Sequence, residues 1–94
     1  MSPPTDALKH DIKQLIMNTL GINDVDIKEI DDEKPLFGGD NALTLDSVDA
    51  IEIIMAIQRT YGIRISDQHL AREVVRSINS IAKFISDNQA TLKN

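Results

Sequence analysis

The hydroxyl best placed to do chemistry in this chain is that of Ser47. It sits between two aspartates, Asp46 and Asp49, at the head of a run from Ser47 to Tyr61 that contains neither glycine nor proline. Asp is a preferred helix N-cap because its carboxylate accepts orphan amide protons. Asp46 is therefore expected to cap this helix and to leave Ser47 as its first residue. There a side chain is exposed, and the unsatisfied amides carry partial positive charge that welcomes an anion. A phosphodiester built on the Ser47 oxygen would sit near those amides while Asp46 and Asp49 repel it, a balance of about 1 kcal/mol either way. The spacing permits modification of Ser47 without demanding it, because a serine after an Asp cap is common.

Other chemistry finds little support. The chain has no cysteine, which excludes a disulfide framework, a cysteine-ligated zinc site and a cysteine nucleophile. Any thiol must be imported. Ser47 lacks a Gly-x-Ser-x-Gly elbow, and the two histidines, His10 and His69, fall on surface helices with no evident triad, so the chain is expected not to be an enzyme. Asp24, Asp26 and the Asp31-Asp32-Glu33 cluster suggest a calcium loop at first sight. Counted from Asp24, however, Glu29 stands where that loop needs glycine and Pro35 where it needs its last glutamate. No metal site is expected.

The elements that must position Ser47 follow from periodicity and caps. Leu8, Ile12, Leu15, Ile16 and Leu20 recur at helical spacing after Pro3-Pro4-Thr5 and stop at Gly21, which reads as a capped amphipathic first helix. Residues 22–45 break into Asn23-Asp24, Asp31-Asp32-Glu33, Pro35 and Gly38-Gly39-Asp40, with Val25, Ile27, Ile30, Leu36, Phe37 and Leu43 between them. This is a long ordered loop pinned by apolar anchors, of a length that suits a crossover between distant helix ends. After the Ser47 helix and Gly62, Ile63-Arg64-Ile65 forms a short extended link. Ser66-Asp67 then caps a short helix with Leu70, Val74 and Val75, and Ser77 caps a last one with Ile78, Ile81, Phe84 and Ile85. The expected fold is all-α, a four-helix bundle with a long loop between helices one and two and a short third helix.

Ninety-four residues make one domain, residues 1–94, with an ordered core of about 5–89. With one tyrosine, two phenylalanines and no tryptophan, the core must be aliphatic and rich in isoleucine, which suits small packed helices. The net charge of −5 argues against binding a nucleic-acid backbone, which needs clustered Lys and Arg. The charge is uneven: residues 1–58 hold four Lys/Arg against twelve Asp/Glu, net −8, and residues 59–94 hold six against three, net +3. The acidic part is expected to meet basic partners. The N-terminus lacks the layout of a signal peptide, and the longest apolar run, residues 53–57, is far short of a membrane span. A soluble, cytoplasmic monomer without membrane insertion is expected.

The Ser47 helix carries two apolar faces. Ala50, Ile53, Ile54, Ile57 and Tyr61 gather on one side at about 100° per residue, and that stripe is expected to face the core. Val48, Ile51 and Met55 gather on a second stripe about 140° away. Glu52 and Arg59 lie near it and Asp49 a little further round, which describes an exposed apolar strip rimmed by charge, the make-up of a docking face. Val48 and Met55 are expected to be exposed unless the loop or the last helix covers the strip.

The stretch Leu45-Asp46-Ser47-Val48-Asp49-Ala50-Ile51-Glu52 resembles the Asp-Ser-Leu-type signature of acyl carrier proteins. The resemblance extends over the first helix, the loop with Pro35-Leu36-Phe37, the motif helix, the Tyr61-Gly62-Ile63-Arg64-Ile65 link and two further helices, nearly the whole chain. It implies that Ser47 takes 4′-phosphopantetheine from coenzyme A through a phosphopantetheinyl transferase, with Asp46 recognised beside it. It also implies that Asp49 and Glu52 pair with basic docking patches on acyl-transferring and ketosynthase-type enzymes, that Val48, Ile51 and Met55 supply apolar contacts, and that Ala50, Ile53, Ile57, Ile65, Val74 and Ile81 line an acyl pocket. The implied role is to carry acyl thioesters for fatty acid, polyketide or related lipid biosynthesis. Two alternatives stand beside it: an unmodified helical interaction domain of the same fold, and a peptidyl or aminoacyl carrier. Leu36-Phe37-Gly38-Gly39-Asp40 is similar to the Gly-Gly-x-Ser stretch of peptidyl carriers, but here Asn41 to Asp46 intervene before Ser47. Gln58-Arg59-Thr60 departs from relatives that continue the motif helix with acidic residues.

Overall fold

The computed structural model describes residues 5–37 and 45–92, with side chains through residue 88. Four helices follow in order: α1 (Asp6–Leu20), α2 (Ser47–Tyr61), α3 (Gln68–Val74) and α4 (Ile78–Leu92). The expected all-α architecture is present, with the loop after α1 and the short third helix. Within that loop, residues Ile27–Glu29 wind into one 3-10 turn, because the Asp26 carboxylate accepts the Lys28 amide and seeds a local helical start.

The helix ends are set by local chemistry. Thr5 caps α1 by accepting the Leu8 amide at 3.1 Å. Gly21 and Gly62 end α1 and α2 with φ of 68° and 65°, left-handed values that only glycine adopts at no steric cost. Asp67 caps α3 through the His69 amide. At the start of α4, the Ser80 amide donates to the Ser77 hydroxyl and the Ser77 amide donates to the Ser80 hydroxyl. The Ser80 hydroxyl in turn donates to the Val74 carbonyl at 2.7 Å, tying the end of α3 to the start of α4.

α1 packs against both α2 and α4, and α3 packs against α4. The core is aliphatic as expected. Ile12, Ile16, Ile53, Ile57, Ile78, Ile81 and Ile85 are all buried to 1% exposure or less, each contributing about 1.5–3 kcal/mol of burial. Ile30 and Leu36 from the loop join the same cluster, while Val25, Ile27 and Phe37 pack against it in part; Leu43 lies outside the described residues. Leu70 differs from its neighbours on the short helix: it is 40% exposed, because seven residues give α3 one inward stripe and Ala71, Val74 and Val75 occupy it.

Two crossings hold the loop to the bundle. The Asn79 amide donates to the Asp32 carbonyl at 2.9 Å, and the Asp32 carboxylate lies between Lys13 at 2.7 Å and Lys9 at 3.8 Å. Further along, the Leu36 amide donates to the Arg76 carbonyl and the Leu36 carbonyl accepts from the Leu45 amide, both at 3.0 Å. Phe37 and Leu45 also form an isolated parallel bridge. Leu45 is therefore fixed, and two residues later, after the Asp46 cap, α2 begins.

Candidate functional site at the start of the second helix

The first turn of α2 is closed by a reciprocal pair. The Asp49 amide donates to Asp46 Oδ1 at 3.0 Å, and the Asp46 amide donates to Asp49 Oδ2 at 3.2 Å. This is a capping box in which aspartate replaces the usual glutamate at the third position. The Asp46 cap was legible in the sequence; the return bond from Asp49 was not, although the Asp-x-x-Asp spacing carried the signal. The Ala50 amide donates to the Asp46 carbonyl at 3.1 Å. The Ser47 and Val48 amides have no acceptor among the described residues, so two donors remain at the helix tip beside the exposed Ser47 side chain.

Around α2 the predicted faces separate. Ile53 and Ile57 are buried at 1% and 0%, and Ala50, Ile54 and Tyr61 are partly buried against the same cluster. On the opposite stripe Val48, Ile51 and Met55 are 64%, 58% and 52% exposed, and Glu52 and Arg59 are exposed beside them. Neither the described loop nor α4 covers the strip. Asp49 is half-buried by its part in the capping box. It thus serves the helix end as well as presenting charge.

Gln58 faces inward rather than toward a partner. Its Oε1 accepts the Ile65 amide at 2.9 Å, pinning the extended link between α2 and α3 back onto α2. Of the stretch Gln58-Arg59-Thr60, only Arg59 and Thr60 are exposed. The Gly38-Gly39-Asp40 segment likened to peptidyl carriers lies outside the described residues.

Ser47 opens onto a cleft of about 620 Å³ between α2, α3 and the loop. Ala50, Ile51 and Ile54 form its α2 wall, and Ala71, Arg72, Val75 and Arg76 form the facing wall, with Pro35, Phe37 and Leu45 closing one end. Of the six residues expected to line an acyl pocket, Ala50 alone borders this cleft. Ile53, Ile57, Ile65, Val74 and Ile81 lie in the closed core, all at 8% exposure or less. The arginines of the α3 wall were missed by sequence reading; their spacing of four residues, 72 and 76, was the available signal.

Among the described residues no group of His, Cys, Asp and Glu could hold a metal ion. Among the same residues no helix is long and apolar enough to cross a membrane. The site therefore consists of an exposed hydroxyl at a helix N-terminus, a capping pair of aspartates, an apolar strip rimmed by charge, and an adjoining cleft.

The family model described as a phosphopantetheine attachment site matches residues 10–85. The chain is 30% identical over 83 residues to an acyl carrier protein of Chlamydia muridarum, covering 88% of this chain and 97% of that protein. It is 28% identical over 83 residues to an acyl carrier protein of Wolinella succinogenes, covering 88% of this chain and 99% of the relative. Matches of that extent take in the four helices, the loop and the Ser47 turn together, and the chain belongs to the phosphopantetheine attachment family of non-catalytic carrier domains.

Proposed function

We propose that this chain is an acyl carrier protein, with 4′-phosphopantetheine attached through the Ser47 hydroxyl. The observation that carries the reading is the position of Ser47: an exposed first residue of α2, with free amides beside it and a cleft in front of it. The residues fit the group, because the hydroxyl is accessible to a transferase and the adjoining cleft has room for part of an arm. When bound, the group supplies the thiol that the chain lacks, on which an acyl unit travels as a thioester. The protein then contributes an address and a shelter.

Asp46 marks Ser47 for a phosphopantetheinyl transferase, its carboxylate held at the lip of the cleft by the capping box. Glu52 and the free edge of Asp49 meet basic patches on acyl-transferring and ketosynthase-type enzymes. Val48, Ile51 and Met55, more than half exposed, give those enzymes an apolar contact, in keeping with an apolar centre rimmed by charge. The cleft bordered by Ala50, Ile54, Ala71 and Val75 offers the nearest shelter for a short acyl group. The residues Ile53, Ile57, Ile65, Val74 and Ile81 would receive a longer one only if the core opened, since a close-packed interior leaves no space otherwise. The cargo belongs to fatty acid, polyketide or related lipid biosynthesis in the cytoplasm.

The test is intact mass after incubation with coenzyme A, magnesium and a broad-specificity phosphopantetheinyl transferase. Wild-type protein gains one prosthetic-group mass and Ser47→Ala gains none. An unchanged wild-type mass overturns the carrier reading and favours an unmodified interaction domain that uses the same apolar strip. Mass spectrometry of the thioester carried in the native cell then separates acyl from aminoacyl cargo.

A further inference from the structure

Two arginines are among the residues that line the cleft that Ser47 opens onto. Arg72 lies within α3 and Arg76 just beyond its end, one helical turn further on. The Arg76 backbone is fixed, because its carbonyl accepts the Leu36 amide at 3.0 Å. Its guanidinium lies 3.8 Å from Glu73, and both side chains are 73% exposed, so that pair is loose and easily exchanged. Arg72 has no ion pair among the described residues. Across the cleft the charges are of the other sign: Asp46 at the lip, with Asp49 behind it in the capping box. The two aspartates would therefore repel an anion on Ser47, and the arginines of the α3 wall would attract it.

We propose that Arg72 and Arg76 form a phosphodiester-binding wall that pairs with the phosphate of the prosthetic group on Ser47 and lays the arm across the cleft against α3. The inference rests on the attachment reading given above. It adds a site on a different element and a reason for the arginines' position. Guanidinium is suited to the task because its planar fork matches phosphate oxygens in two parallel bonds. The α2 amides of Ser47 and Val48 would hold the phosphate from one side and the arginines from the other, offsetting the repulsion of Asp46 and Asp49. The apolar floor of Ala50, Ile54, Ala71 and Val75 would then lie beneath the arm.

The experiment compares apo and fully modified protein, wild type and Arg72→Gln/Arg76→Gln, by phosphorus and arginine side-chain NMR. Both substitutions are at cleft-lining arginines outside the helix caps, and unchanged circular dichroism at 222 nm establishes that the fold is retained. On modification of the wild type, the Nε–H signals of Arg72 and Arg76 shift and exchange more slowly. The phosphorus signal of the modified wild type differs from that of the double variant at low salt and converges with it at about 1 M salt, where the Debye length falls to about 3 Å. Arg72→Lys/Arg76→Lys gives an intermediate position, since charge remains and the fork is lost. Identical phosphorus signals in wild type and double variant, with intact mass showing complete modification, overturn the proposal and leave attachment at Ser47 standing. Arginine shifts that arise only when a carboxylated acyl group is loaded also overturn it, assigning the pair to cargo instead. Failure of the wild type to take the group overturns both readings.

Discussion

Asp46 caps the first turn of α2, and under the proposed function it also marks the serine; two substitutions pull these duties apart. The carboxylate accepts the Asp49 amide at 3.0 Å, while the return bond to Asp49 is made by the Asp46 backbone and survives replacement of the side chain. Asp46→Ala removes one cap bond and should cost about 1 kcal/mol, within the range of about 0.5–2 for such caps. For a domain of this size that lowers Tm by about 4–8 °C. Asp46→Asn keeps an acceptor oxygen and loses only charge, which is worth about 0.3–1 kcal/mol at low salt near a helix N-terminus. In about 0.5 M salt, thermal unfolding followed by circular dichroism should therefore place Asp46→Asn close to wild type and Asp46→Ala clearly below. Modification by the transferase should slow in both variants, because the negative charge beside Ser47 is gone from both. An Asp46→Asn protein that melts with Asp46→Ala, or an Asp46→Ala protein as stable as wild type, would refute the capping argument.

Burial, with a smaller push from Asp11, holds the Tyr61 phenol above its ordinary pKa of 10.0. The folded state then binds that proton more tightly than the unfolded chain. The resulting stability is complete below pH 10 and is lost as pH rises through the folded value. Tyr61→Phe should flatten this alkaline decline in urea titrations above pH 10, and an equal slope in both proteins contradicts the assignment. Ile57→Ala, at a position with 0% exposure, should lose about 2–5 kcal/mol. Ile51→Ser, on the strip at 58% exposure, should stay within about 0.5 kcal/mol while weakening capture by a ketosynthase-type partner, read by titration calorimetry. Gln58→Ala leaves the part-buried Ile65 amide without its partner, at a cost of about 1–3 kcal/mol, and hydrogen exchange at Ile65 should quicken. Unchanged exchange there would mean that another acceptor serves that amide.

Much of this structure was legible because its signals are local. Thr5 and Gly21 bound α1, Asp46 and Gly62 bound α2, and each boundary depends on atoms within four residues in sequence. The two-faced character of α2 followed from 3.6-residue periodicity alone, and Val48, Ile51 and Met55 are exposed where that periodicity put them. What escaped depends on distant contacts or on a variant of a familiar pattern. The reciprocal bond of Asp49 belongs to a capping box with aspartate in place of glutamate. The inward turn of Gln58 needs the Ile65 amide to come back against α2. The cleft beside Ser47 exists because α3 and the loop close on α2, with the Leu36 amide on the Arg76 carbonyl and the Leu45 amide on Leu36. No window of the sequence around Ser47 contains Arg72 or Arg76.

Attachment through the Ser47 oxygen is tested most directly by locating the prosthetic group within the chain. Trypsin releases a peptide from Glu29 to Arg59, with Lys34 protected by the following Pro35, and its only hydroxyl side chains are those of Thr44 and Ser47. Fragmentation of this peptide after modification by the transferase should place the whole added mass on Ser47. Added mass on Thr44, or on a peptide elsewhere in the chain, would contradict the assignment of the α2 N-terminus as the attachment site.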